Sequence, residues 1–178
     1  PWFIERVQVN DRELLFGVQP ERGISAGNAW LMRSMLEDVV REGTGRSAMR
    51  LGREDLAGKT GTTNDQNDAW FAGFNGDVVA TAWVGFDELQ SLGRYETGGR
   101  AALPIWVDFM EQALRGKPNT NWVRPPGVVT LRIDSETGER TSPDNPNARF
   151  ETFLEDSLPP QDDFARRESE GSGAEPIF

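Results

Sequence analysis

The stretch Leu56–Asp87, LAGKTGTTNDQNDAWFAGFNGDVVATAWVGFD, constrains the fold more than any other part of the chain. It reads as three consecutive strands: residues 56–62, which carry Lys59-Thr60-Gly61-Thr62, then 68–74, then 78–86. Asn75-Gly76 between the last two is the dipeptide that a tight type I′ hairpin prefers, because both central residues of that turn sit at positive φ. In the third strand Val79, Thr81, Trp83 and Gly85 alternate with Val78, Ala80, Ala82, Val84 and Phe86. Neither set is strongly polar, which predicts a central strand covered on both sides.

The chemistry sits on the first of these strands. Strand alternation turns Lys59 and Gly61 one way and Thr60 and Thr62 the other, apart from local twist. Gly61 has no side chain, so the backbone of a ligand could lie directly against the strand. An ammonium beside two hydroxyls and free backbone N–H groups makes a cradle for a carboxylate or an oxyanion. The plainer alternative is a surface strand with a bulge at its glycine. Lys-Thr-Gly alone leaves both readings open.

Elsewhere the pattern is that of an ordinary sheet-and-helix domain. Residues 2–9 and 13–16 read as a hairpin turned at Asn10-Asp11. A helix is expected over 26–42, with Ser25 as N-cap and Gly43 closing it in a left-handed conformation. Its buried stripe is Ala29, Met32, Leu36 and Val39, widened by Met35 and Val40, so its Met and Trp residues are core rather than cofactor contacts. Gly43-Thr44-Gly45 and the residues to Arg50 form a short turn or helix leading to the Lys59 strand; the Gly-Thr-Gly could line a site, but reads more simply as a connection. Past the glycine-rich loop 93–99, a second helix over 102–115 has Pro104 in its first turn. Leu103, Trp106, Phe109, Met110 and Ala113 form its inner stripe, and Gly116 with Pro118 stops it. A small hairpin pairs 128–133 with 139–141 through a turn at 135–138. From residue 155 an acidic segment with Pro and Ser reads as disordered.

Composition removes whole classes of function. A net charge of −10 argues against nucleic acid and against an anionic membrane surface. The chain has no cysteine, hence no disulfide and no thiol nucleophile. It has no histidine either, which removes a Ser-His-Asp triad, most catalytic zinc sites and a histidine base. Acyl-transfer chemistry would have to use a lysine or a carboxylate. No cofactor or metal is expected, and no apolar run approaches the ~20 residues that span a bilayer.

Three strings, taken together, carry a resemblance. They are Ala57-Gly58-Lys59-Thr60-Gly61-Thr62-Thr63-Asn64-Asp65, Asp68-Ala69-Trp70-Phe71 and Trp83-Val84-Gly85-Phe86-Asp87. With Phe3-Ile4 and Val39-Val40-Arg41-Glu42-Gly43-Thr44-Gly45 upstream, and Gly98-Gly99 and Ala101-Ala102-Leu103-Pro104-Ile105-Trp106 downstream, they resemble the C-terminal half of the transpeptidase domain of class A penicillin-binding proteins. The order and spacing match over roughly residues 1–160. The resemblance implies an α/β fold, an antiparallel sheet flanked by helices, of the penicillin-binding transpeptidase and serine β-lactamase type. Residues 1–122 would be the C-terminal half of that domain, 123–154 a small hairpin tail and 155–178 a disordered acidic tail. Three strands of a five-stranded sheet would lie in this chain.

That family acylates a serine with the D-Ala-D-Ala end of a peptidoglycan stem peptide and passes the acyl group to the amine of a neighbouring stem; β-lactams trap the acyl-enzyme. Its site combines Ser-x-x-Lys, Ser-x-Asn and Lys-Thr-Gly. By resemblance Lys59 supports positive potential and the proton relay, Thr60 and Thr62 hold the terminal carboxylate of the donor or of a β-lactam, and the Thr62 backbone N–H forms half of the oxyanion hole. Gly61 keeps the strand clear for the bound peptide. The first two motifs are missing here: Leu56 and Leu114 stand three residues before Lys59 and Lys117, and Ser142-Pro143-Asp144-Asn145 is one residue too long for Ser-x-Asn. The nucleophile is therefore expected in the upstream half of the same polypeptide, together with a membrane anchor and a glycosyltransferase domain. The setting would be the periplasmic face of the bacterial inner membrane, and the chain alone should be inert. A serine β-lactamase or DD-carboxypeptidase relative, and a non-catalytic peptide-binding module, are the competing readings.

Overall fold

A computed structural model describes residues 6–10, 12–15 and 21–162. A short antiparallel hairpin opens it, β1 (Arg6–Val9) against β2 (Arg12–Leu15), with Asn10 at φ 54 in the turn. The remainder of that predicted hairpin, at 2–5 and 16, falls outside the described residues. Helix α1 (Ala26–Arg41) begins as expected, its first turn capped by the Ser25 hydroxyl accepting from the Asn28 N–H at 3.1 Å.

The sheet that organises the chain is β3 (Ala57–Thr62), β4 (Ala69–Phe74) and β5 (Val79–Val84), antiparallel in that order. The register runs unbroken from Ala57 opposite Phe74 to Thr62 opposite Ala69, so no bulge marks Gly61. One face carries Ala69, Phe71 and Ala82, all buried, and receives helix α2 (Leu103–Ala113) through Leu103, Trp106, Val107 and Met110. Phe71 and Trp106 meet edge to face at 4.9 Å, and the Trp106 indole N–H donates to the Ala80 carbonyl at 3.1 Å. Val40 of α1 and Ala48 of a short 3-10 turn (Arg46–Leu51) complete this core.

Several expectations are corrected. The strand β5 is an edge among the described residues, not central: Val79 is 80 % exposed, and Trp83 and Trp70 of the same face are more than two-fifths exposed. That face has no covering element among the described residues, whereas its apolar pattern suits one that is covered. The β4–β5 connection is not type I′, since neither Asn75 nor Gly76 has a positive φ. Instead the Asn75 side-chain oxygen accepts from the N–H groups of Asp77 and Val78, a side-chain-built turn that replaces the backbone requirement.

The buried stripe of α1 is rotated from the predicted one. Met32 and Met35 are at least half exposed, while Arg33, Glu37 and Val40 face inward. Burial of these charges is made possible by the Arg33–Glu37 ion pair (3.3 Å) and by stacking of the Arg33 guanidinium over Trp30 and Trp122, at 3.9 and 4.7 Å from the ring centroids. Gly43 ends α1 without a positive φ; a Cβ there would lie 2.9 Å from Val39 Cα, so close approach excludes a side chain. On α2 Phe109 points outward and Val107 takes the inner position. A π-helical turn, Gly98–Ala102, precedes α2.

In the tail, β6 (Val128–Asp134) pairs along its whole length with β7 (Ala148–Leu154), a partner not expected from sequence. The expected pairing with residues 139–141 also forms, but only as a short stretch on the opposite edge of β6, where Ile133 bridges Arg140 and the Thr141 N–H donates to Arg132 O at 3.1 Å. Residues 155–162, expected to be disordered, are tied down by Glu155 N–H to Gly127 O and Asp162 N–H to Arg140 O, each 2.9 Å. The rest of the predicted acidic tail falls outside the described residues.

Candidate active site

Antiparallel pairing decides what β3 offers. The Thr63 N–H donates to the Asp68 carbonyl at 3.1 Å, making that a directly bonded pair. Bonded and non-bonded pairs alternate along such a ladder, so Gly61 and Lys59 face β4 with their backbone groups while Thr60 and Thr62 turn theirs outward. No strand pairs that outer edge among the described residues. The amides of Thr60 and Thr62 thus line an open strand edge.

Two further segments converge on the same residues. The Gly98 N–H donates to Thr62 Oγ1 at 3.1 Å, which uses one acceptor site of the hydroxyl and leaves its proton free for a ligand. Gly98 approaches so closely that a Cβ there would lie 2.5 Å from the Gly61 carbonyl oxygen and would drive into that of Trp70. From the other side Thr44 brings its hydroxyl within 2.7 Å of the Thr60 hydroxyl. Thr44 sits in the Gly43-Thr44-Gly45 turn that closes α1, where the Gly45 N–H donates to Val39 O at 2.9 Å. Sequence reasoning treated that turn as a connection. Its signal was the pair of glycines around a hydroxyl residue, here explained by close contact with Val39 on both sides of Thr44.

Lys59 extends over the strand instead of away from it. Its Nζ donates to the Thr60 carbonyl at 3.0 Å and lies 3.4 Å from Thr60 Oγ1. A positive charge therefore stands beside the Thr60 hydroxyl despite the alternation that puts the Lys59 Cβ on the opposite face. That face continues through Gly61, where a Cβ would meet Trp70 Cβ at 3.2 Å, to the tilted pair Trp70–Trp83 at 5.9 Å. The Trp83 indole N–H is held by Asp68 at 2.9 Å. Lys59, Thr60, Gly61 and Thr62 are thus brought together at one edge with an ammonium, two hydroxyls and outward amides, a donor-rich surface suited to an anion. Among the described residues there is no cluster of carboxylates able to hold a metal ion.

Residues 1–111 match the family described as penicillin binding protein transpeptidase domain. The chain belongs to the penicillin-binding protein transpeptidase family. It is 54 % identical over 140 residues to penicillin-binding protein 1A of Pseudomonas aeruginosa, an overlap of 79 % of this chain and 17 % of that protein. It is 42 % identical over 170 residues to penicillin-binding protein 1A of Neisseria meningitidis serogroup B, covering 96 % of this chain and 21 % of the relative. The crystal structure of penicillin-binding protein 1A from Haemophilus influenzae superposes with a TM-score of 0.72 at 37 % identity, over 78 % of this chain and 22 % of that one. The chain therefore spans about a fifth of the length of the relatives it matches. In this transpeptidase-family chain the antiparallel sheet with its helices agrees with the fold expected from sequence.

A second polar cluster lies near the start of β3. Asp55 is buried and accepts from Arg53 Nε (2.8 Å), Asn75 Nδ2 (3.1 Å) and the Thr120 N–H (2.8 Å). Burial alone would raise its pKa, but these donors, Arg53 foremost, hold it at about 2. The result is a knot that ties the segment after α2 to the β4–β5 turn of the penicillin-binding fold. Beside it, burial pushes the Glu37 carboxyl up in spite of Arg33 and Arg41.

Proposed function

We propose that this chain supplies the Lys-Thr-Gly half of a peptidoglycan DD-transpeptidase site, completed by a serine nucleophile from elsewhere in a longer polypeptide. The carrying observation is the edge of β3, unpaired among the described residues, where the outward amides and hydroxyls of Thr60 and Thr62 are presented and the Lys59 ammonium lies against Thr60. In the first half-reaction the serine oxygen attacks the carbonyl of the D-Ala-D-Ala peptide bond. The developing oxyanion accepts from the Thr62 N–H, and the terminal carboxylate from the hydroxyls of Thr60 and Thr62. Lys59 stabilises this negative charge and helps move the serine proton to the departing D-Ala amine. An amine of a second stem then attacks the acyl-enzyme and restores the serine. A single well-placed oxyanion donor contributes about 3–4 kcal/mol to such a transition state.

A β-lactam offers the same carbonyl and carboxylate, so penicillin acylation reads out the first half-reaction. Crosslinking is favoured over β-lactamase or carboxypeptidase activity because the relatives at 42–54 % identity are penicillin-binding proteins 1A. Peptidoglycan stems and β-lactams are the proposed partners, and the periplasmic face of the inner membrane the proposed setting. No helix of the described residues is long and apolar enough to cross a membrane, so anchoring would come from outside them. The test is second-order acylation of the full-length protein by labelled penicillin, wild type against K59A and T60V. A large fall in both supports the assignment; wild-type rates in both would remove it.

A further inference from the structure

We propose that Thr44 is a positioning residue for the carboxylate grip: its hydroxyl donates to Thr60 Oγ1 and so directs the Thr60 proton at the ligand. The inference rests on the reading of Thr60 as a carboxylate donor. A threonine hydroxyl has one proton and two acceptor sites. Lys59 Nζ, which can only donate, approaches Thr60 Oγ1 at 3.4 Å, and Thr44 Oγ1 lies at 2.7 Å. Were Thr60 to donate to Thr44, it would turn its proton inward and meet an anion with lone pairs. With Thr44 donating, both acceptor sites of Thr60 are filled from within the protein, and its proton is the one group left for the carboxylate. A bound anion selects this second arrangement, and the lysine charge beside it polarises the same hydroxyl.

The placement of Thr44 is built for this contact. The Gly43 N–H donates to the Asp38 and Val39 carbonyls, and the Gly45 N–H to Val39 O. A Cβ at Gly43 or Gly45 would lie within about 3 Å of Val39 backbone atoms. Across the contact, a Cβ at Gly99 would come within 3.1 Å of the Thr44 carbonyl oxygen. Bare backbone on three sides brings the turn down onto Thr60 and leaves Thr44 as the side chain it presents there.

The experiment is a double-mutant cycle in the full-length protein, read as the second-order rate of acylation by labelled penicillin. T44V is expected to slow acylation on the order of tenfold, the loss of the one hydroxyl–hydroxyl bond that orients the Thr60 proton, with T44S near the wild-type rate. In a T60V background T44V should have no further effect, because the hydroxyl it orients is gone. T44S as slow as T44V would overturn the proposal, since the methyl group and not the proton would then matter. An undiminished T44V effect in the T60V background would overturn it too, as would a wild-type rate in T44V while T60V is slow. A wild-type rate in T60V itself would instead remove the carboxylate reading on which the proposal stands, and the proposal with it.

Discussion

Lys59 folds its ammonium back across Thr60, so replacing it removes charge from the site without touching the ladder between β3 and β4. K59A in the full-length protein is expected to lower penicillin acylation on the order of 10²-fold, with an unchanged thermal midpoint; acylation and unfolding measured on one preparation check both halves. Gly98 behaves differently because space, not charge, is at stake. G98A forces a Cβ against the carbonyls of Gly61 and Trp70, with a penalty of about 1–3 kcal/mol. It also pulls the Gly98 N–H off Thr62, so the melting temperature and the acylation rate should fall together. A variant that loses neither would show that the π turn can yield. At this scale Lys59 to Thr62 were readable in advance because the tripeptide and its neighbours form one continuous string. Thr44 was not, since its partner lies 16 residues further on and only the fold brings the two hydroxyls together.

Elements were read with uneven success, and the reasons are physical. Strands β3 to β5 and both helices follow from periodicity, which reports local burial well. Periodicity cannot report which side of a strand finds a neighbour, so the two apolar faces of β5 predict a central strand although one face is uncovered among the described residues. For α1 the difficulty was charge: Arg33 and Glu37 looked like surface residues, and only their pairing and the flanking Trp30 and Trp122 allow them inside. The hairpin after Asp134 does form, closed by Gly138 N–H to Asp134 O and the Ile133–Arg140 bridge, but the longer partner of β6 lies beyond it in sequence and carries no local signal of that pairing. The Asp55 knot yields a prediction at this level. D55N strips a buried ion pair of its acid and is expected to destabilise the domain by about 3 kcal/mol near neutral pH. The folded pKa of Asp55, about 2, lies below its ordinary 3.8. Its contribution is therefore complete above the ordinary value and is lost as pH falls through about 2. The gap between wild type and D55N should narrow across that window in unfolding experiments, and a gap constant with pH would contradict the assignment.

For the whole molecule the open surfaces matter most. Among the described residues the edge of β3 is unpaired and adjoins a sheet face carrying Trp70, Trp83 and Val79, and such surfaces drive association. The isolated chain should self-associate and unfold without a sharp transition; light scattering that reports a monomer with reversible, cooperative melting would refute this. The same preparation is expected to give no covalent band with fluorescent penicillin, since neither lysine follows a serine at the spacing the family uses. A band would reveal a nucleophile within the chain. The two threonine hydroxyls also depend on different lengths of chain. Thr60 is met by a group 16 residues before it, and Thr62 by one 36 residues after it. Closing the longer loop costs more entropy, and that loop contains the whole of β4 and β5. Loop-closure entropy favours the shorter of the two, so in refolding experiments the Thr60 contact is expected to form ahead of the Thr62 contact, and the two hydroxyls gain their partners in that order.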